Sequence, residues 1–274
     1  MDKHTFNELV NKKYITEVGL VDHYSDNPDK LEALTLDSLA SIVTNSVVSG
    51  YVDQPDLTTG GEFKLEKDMH LTYPIIIEQD TTIDLNGHNI INDISFIDES
   101  DGTSNCYVFW VKSGKLTIKG KGQISAIANS KYDMAVWANG GDVDIYGGSY
   151  SNRGDSCDMI YASAGGNVSI YGGVFNAGGP STDDVHGTKN KYCALNVKDA
   201  DYKSGSSSIK VMGGKFYNFD PANNFSEGPK TNFLESGYIS VEVTPNVYVV
   251  EAAADPSVDN EIDVNDEIVV DDEA

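Results

Sequence analysis

Arginine is almost missing from this 274-residue chain: Arg153 is the only one. Lysine and arginine together number 19 against 43 acidic residues, for a formal net charge of −24. A chain this acidic repels phosphate backbones and anionic lipid headgroups. That argues against sequence-independent nucleic-acid binding and against adsorption to anionic membranes. Cysteine is scarce as well. Cys106, Cys157 and Cys193 are too few, and odd in number, for a disulfide framework, so buried free thiols are expected, although Cys157 and Cys193 could be spatial neighbours. No apolar run approaches the roughly 20 residues of a membrane helix. The stretch Met1 to Glu8 lacks the apolar core of a secretory leader, which predicts folding in a reducing cytosol. The five histidines show no metal-ligand spacing. No phosphate-cradling Gly-Lys motif, nucleophile elbow or dinucleotide fingerprint occurs, so no cofactor is expected.

What is present is glycine, 26 of them, set among Val, Ile and Tyr. Such a composition favours many short strands joined by tight turns. Five segments share an apolar-x-apolar strand, a Gly turn and a further apolar residue. They start at Ile83, Leu116, Val143, Val168 and Ile209; the third reads Val143-Asp144-Ile145-Tyr146-Gly147-Gly148-Ser149-Tyr150. A second strand recurs in phase with the first. Phe109, Val136 and Tyr161 each precede the next Gly-turn strand by the same spacing, and Ala194 to Val197 repeats it before a longer turn, Lys198 to Ser207.

Alternation of period two turns one side of each strand inward. A repeat of about 25 residues cannot bury that side alone and must stack on its neighbours. The sequence therefore predicts an all-β chain, a right-handed parallel β-helix (β-solenoid) with a short helical N-terminal anchor. Equivalent side chains should form ladders, Leu85/Ile118/Ile145/Ile170/Val211 inside and Tyr146/Tyr171 beside them.

The ends read differently. In residues 1–60, helical spacing of Phe6, Leu9, Val10 and Tyr14, and an Asn27-Pro28 start before Leu31 and Leu34, predict one or two helices and then a linker. Leu34, Leu39, Ile42 and Val43 form an apolar stripe, either a docking or oligomer face or a cap on the first repeat. Residues 61–220 hold the repeat. Residues 221–250 are a loop followed by a hairpin around Pro245-Asn246 that closes the C-terminal end. Residues 251–274 carry ten acids and no base, a solvated tail or a ligand for a basic partner such as a capsid surface.

The segment Thr82-Ile83-Asp84-Leu85-Asn86-Gly87-His88 and the Tyr-Gly-Gly turns resemble the pectate-lyase-like right-handed parallel β-helix proteins, over about residues 70–220. The run Gly213-Gly214-Lys215-Phe216-Tyr217-Asn218-Phe219-Asp220-Pro221, with Glu227-Gly228-Pro229 and Gly237-Tyr238, is similar to the ending of β-helix proteins of tailed phages of gut bacteria. That resemblance implies a structural virion protein, a head fibre or capsid decoration. It further implies a homotrimer attached to other virion proteins through its N-terminal segment.

Catalytic candidates are few. Lyases of the resembled class use acidic Ca²⁺ ligands and a basic residue, which brings Arg153, Asp155 and Asp158 forward; Asp133 and Asp158, at equivalent places one repeat apart, are a candidate metal pair. The plainer reading makes these two aspartates turn caps that splay into water. Asp183, Asp184 and His186 resemble an inverting glycosidase set, but they crowd one loop where inversion needs carboxyls about 6.5–9.5 Å apart, and a solvated loop is the simpler account. Arg153-Gly154-Asp155 also spells the integrin tripeptide, a match short enough to arise by chance. The favoured expectation is a structural appendage without catalysis that contacts a host-surface glycan. The alternatives are a polysaccharide lyase or glycosidase, and a non-catalytic glycan-binding module using Tyr and Trp on an outer face.

Overall fold

The computed structural model describes residues 57, 59–98, 102–128, 130–152, 158–177 and 193–254. The helices expected in residues 1–60 and the acidic tail beyond 254 lie outside the described residues, apart from the few at 57 and 59–60. The described chain is predominantly β, and its strands fall into three sheets. Sheet one takes β1 (Gly61–Lys64), β4 (Thr81–Asp84), β8 (Lys115–Lys119), β11 (Asp142–Ile145), β14 (Asn167–Ile170) and β17 (Ser208–Val211). Sheet two takes β2 (Met69–Leu71), β5 (Ile90–Asn92), β9 (Gln123–Ala126), β12 (Ser149–Asn152), β15 (Val174–Asn176) and β18 (Gly214–Tyr217), then β20 (Val247–Ala252) and, at its edge, β19 (Tyr238–Thr244). Sheet three takes β3 (Ile75–Ile77), β7 (Thr103–Val111), β10 (Tyr132–Asn139), β13 (Ile160–Ser163) and β16 (Leu195–Val197), with β6 (Phe96–Asp98) antiparallel on β7. The chain visits sheets one, two and three in fixed rotation, and apart from β6 on β7 neighbours within a sheet run parallel until the C-terminal hairpin.

Register follows the alternation. In sheet one, Phe63, Ile83, Ile118, Ile145, Ile170 and Val211 stand one above another, and all but the partly buried Phe63 are sealed from solvent. In sheet two, Met69, Ile90, Ile124, Tyr150, Phe175 and Phe216 form the matching ladder, its last three rings stacked at 4.9 and 4.7 Å. In sheet three, Ile75, Phe109, Val136, Ile160 and Leu195 line the core. Each buried aliphatic side chain contributes roughly 1.5–3 kcal/mol, and each is held by the residue one pass away.

The Gly turns set how closely the passes approach. A Cβ at Gly213 would stand 2.2 Å from the carbonyl oxygen of Tyr171 in the pass beneath, so only hydrogen fits there. The next residue, Gly214, has φ +106°, a conformation that L side chains rarely adopt. One turn then serves both to carry the chain from sheet one into sheet two and to let backbones touch.

Three details depart from the sequence reading. Ile83, not Leu85, pairs with Ile118; Leu85 is buried two residues further on, beside the next corner. Val136 pairs with Ile160 rather than Tyr161, because the turn between Ser163 and Val168 is one residue longer than the one between Asn139 and Val143, with Ala164 at φ 54° in it. The expected long turn after Val197 contains a short helix, α1 (Asp199–Ser204), ended by Gly205 in the left-handed region at φ 72°. The C-terminal hairpin forms as expected, with Asn246 at φ 60° in its turn, and β20 pairs with β18.

Candidate functional site

The outward side of sheet three is where aromatic side chains collect. Register places Ile76, Trp110, Trp137, Tyr161 and Asn196 in one row, each a strand apart. Strands spaced about 4.8 Å apart bring like rings to stacking distance. Trp110 and Trp137 lie 5.2 Å apart with planes 5° from parallel, and Trp137 and Tyr161 6.4 Å apart at 39°. Tyr107 packs edge-on against Trp137 at 4.9 Å, and Phe96 and Tyr73 continue the aromatic group beyond it. Lys112 Nζ sits 4.3 Å from the Trp110 ring centre, a favourable cation–π contact. Trp110, Trp137 and Tyr161 are each half-buried.

A polar row runs beside the aromatic one. Trp137 Nε1 donates to Ser163 Oγ at 2.9 Å, and Ser163 Oγ donates to Asn139 Oδ1 at 3.3 Å. This relay fixes the Asn139 amide with its carbonyl inward and leaves its nitrogen as a donor. Trp110 Nε1, by contrast, is buried with no hydrogen-bond partner among the described residues.

At the far end of the row lie two carboxyl groups. Asn196 Nδ2 donates to Asp158 Oδ1 at 2.5 Å, and the next residue, Val197, donates its amide to Glu227 Oε1 at 2.6 Å. Burial pushes Asp158 up to about 6, and burial pushes Glu227 up to about 7 against the lowering effect of the Val197 amide. Burial and the neighbouring Asp158 and Glu227 charges raise Tyr161 as well. Glu227 Oε2 and Ser226 Oγ are buried without a partner among the described residues.

Of the residues singled out from sequence, Arg153, Asp155, Asp183, Asp184 and His186 lie outside the described residues, as do Leu34, Leu39, Ile42 and Val43. Asp133 and Asp158 are described, and neither splays into water: they are 0% and 7% exposed. Asp133 accepts the amide and hydroxyl of Ser130, the turn-capping role foreseen for it. The β10–β13 ladder begins at Val136 and does not reach either aspartate. Among the described residues, no group of three or more His, Cys, Asp or Glu is placed to hold a metal ion. Cys106 and Cys193 are buried, and burial pushes the Cys106 thiol up to about 12. No helix among the described residues is long and apolar enough to cross a membrane.

Sequence reasoning placed Tyr and Trp on an outer face but missed Asn196 and Glu227. Asn196 was readable as the polar position of Leu195-Asn196-Val197; Glu227 sits in an irregular loop where no periodicity marks it. Comparison of the chain with family models, with curated proteins and with solved structures gave no match.

Proposed function

We propose that the chain is a parallel β-helix whose sheet-three outer face binds an extended glycan without turning it over, on a virion appendage of the head-fibre or decoration type. The fixed rotation through three sheets, with parallel register between successive passes, supports the β-helix reading. Right-handed winding is the hand that parallel crossovers take. The glycan reading rests on one observation, the Trp110–Trp137–Tyr161 row beside the Ser163–Asn139 relay. Ring edges and half-covered faces suit the apolar patches of sugars, and adjacent amide and hydroxyl groups suit their hydroxyls.

The test is binding of the full chain to a panel of capsular and uronic-acid polysaccharides by calorimetry. Trp137→Ala with Tyr161→Ala is expected to lower affinity at least tenfold. Tyr171→Ala, on another face, should leave it unchanged. Equal binding by the double variant and by Tyr171→Ala overturns the reading. The same samples are followed for new reducing ends or unsaturated uronates; turnover that Asp158→Asn abolishes would make the chain an enzyme instead. Mass spectrometry of purified particles tests the setting, and absence from the virion removes it.

A further inference from the structure

The last strand of sheet two, β19, pairs with β20 on one side and with nothing on the other among the described residues. Natural edge strands of this length usually carry lysine, proline or an early break, because a bare edge invites pairing with another chain. Between Tyr238 and Thr244 there is neither lysine nor proline, and the register shift comes only at Glu242/Thr244. Instead Ile239, Val241 and Val243 alternate on the outer side, 42%, 36% and 52% exposed. Val249 stands across from Val241 and extends that apolar surface.

The strand is also close to its own complement. Read antiparallel about Val241, Ile239 meets Val243 of a second copy, Val241 meets itself, and Ser240 meets Glu242. Ser240 Oγ is a buried hydroxyl without a partner among the described residues. Glu242 accepts the Asn246 amide through Oε1 at 2.8 Å, and its carboxylate also engages the Tyr248 hydroxyl. Directly opposed positions in an antiparallel pair bring side chains within about 4.5–5.5 Å at Cβ. The unpaired hydroxyl then faces a carboxylate, twice over by symmetry, and Glu242 is the only charge in the strand, so no like charges oppose each other.

We infer that β19 is the contact strand of a two-fold dimer, in which two copies of this chain join sheet two edge to edge through antiparallel β19–β19 pairing. This is a different association from the threefold one implied by resemblance, and it stands independently of the glycan reading.

Sedimentation of the full-length chain at tens of micromolar is expected to show a dimer. Val241→Lys, which places a charge at the symmetry axis, is expected to give a monomer with unchanged circular dichroism and Tm. Val241→Cys, mildly oxidised, is expected to form a covalent dimer on non-reducing gels, whereas Thr244→Cys, away from the axis, is not. A wild-type monomer, a trimer, or a dimer indifferent to Val241→Lys overturns the proposal. Should Val241→Lys fail to fold, the cross-link decides: an uncross-linked Val241→Cys chain overturns the proposal as well.

Discussion

The Val197 amide and the Glu227 carboxylate meet at 2.6 Å across 30 residues of chain. Val197 lies on β16, the last strand of sheet three, where no further strand is paired among the described residues. Its N–H points to where that strand would lie, and a side chain from the C-terminal loop supplies the acceptor in its place. The same loop covers sheet one, where Val211 donates to the Phe233 carbonyl at 2.8 Å and Glu235 donates to the Val211 carbonyl at 3.0 Å. Two sheets are thus closed by an irregular loop, and the third by a hairpin.

Glu227→Ala removes the acceptor and leaves the Val197 amide unpaired. The expected loss is about 1–3 kcal/mol of unfolding free energy in urea titration. Glu227→Gln keeps an amide oxygen at the same place and should recover most of it. Equal losses for the two variants would mean that the bond to Val197 matters little.

Asp158 and Glu227 make stability depend on pH in a defined direction. Both folded-state values, about 6 and about 7, lie above those of exposed carboxylates, so the folded protein holds protons that the unfolded chain releases. Their stabilising effect is complete below about pH 4 and is lost as pH rises through 6 to 7. Tm is expected to fall from pH 5 to pH 8 on account of these two groups. Asp158→Asn with Glu227→Gln should flatten that part of the slope, because neither replacement ionises. Asn at 158 can still offer a carbonyl to Asn196. A double variant with the wild-type slope would show that other groups set the dependence.

Phe175 is fully buried between Tyr150 and Phe216, with ring planes 7° and 12° from parallel. Phe175→Ala opens a cavity that the stacked passes cannot close without breaking register. It should cost about 3–5 kcal/mol. Phe175→Leu should cost less than half as much. Equal, small costs in denaturant unfolding would argue against a rigid ladder.

Gly213 and Gly205 separate close approach from backbone conformation. At Gly213 an added Cβ meets the Tyr171 carbonyl at 2.2 Å, whereas at Gly205, with φ 72°, nothing lies within 4 Å. Gly205→Ala should cost about 1 kcal/mol, the ordinary penalty of a left-handed position. Gly213→Ala should cost well over that, since two backbones must part. Thermal unfolding of the two variants side by side checks the ranking.

Much of the fold was legible in the chain, for a local reason. Alternation in Val143-Asp144-Ile145 and Val168-Ser169-Ile170, each followed by Gly-Gly, carries strand, turn and inward face within eight residues, and the two segments do pair residue for residue. The same holds from Phe109 to Val136, and for the hairpin around Pro245-Asn246. Parity alone could not choose between Ile83 and Leu85 as the partner of Ile118, because both point inward; backbone pairing of β4 with β8 chose Ile83. Nor could spacing show that the single extra residue falls in the turn after Ser163, which moves Tyr161 from beside Val136 to beside Trp137 and so builds the aromatic row.

Strands, inner faces and glycine turns were readable from neighbouring residues, because period-two alternation and turn conformation are local properties. Which outer side chains became neighbours was settled by the fold. Trp110, Trp137, Tyr161 and Asn196 are separated by whole passes of the chain, and Glu227 reaches Val197 from a loop without pattern. Such meetings depend on register summed over successive passes, where a slip of one residue exchanges one neighbour for another, and no local preference records that sum.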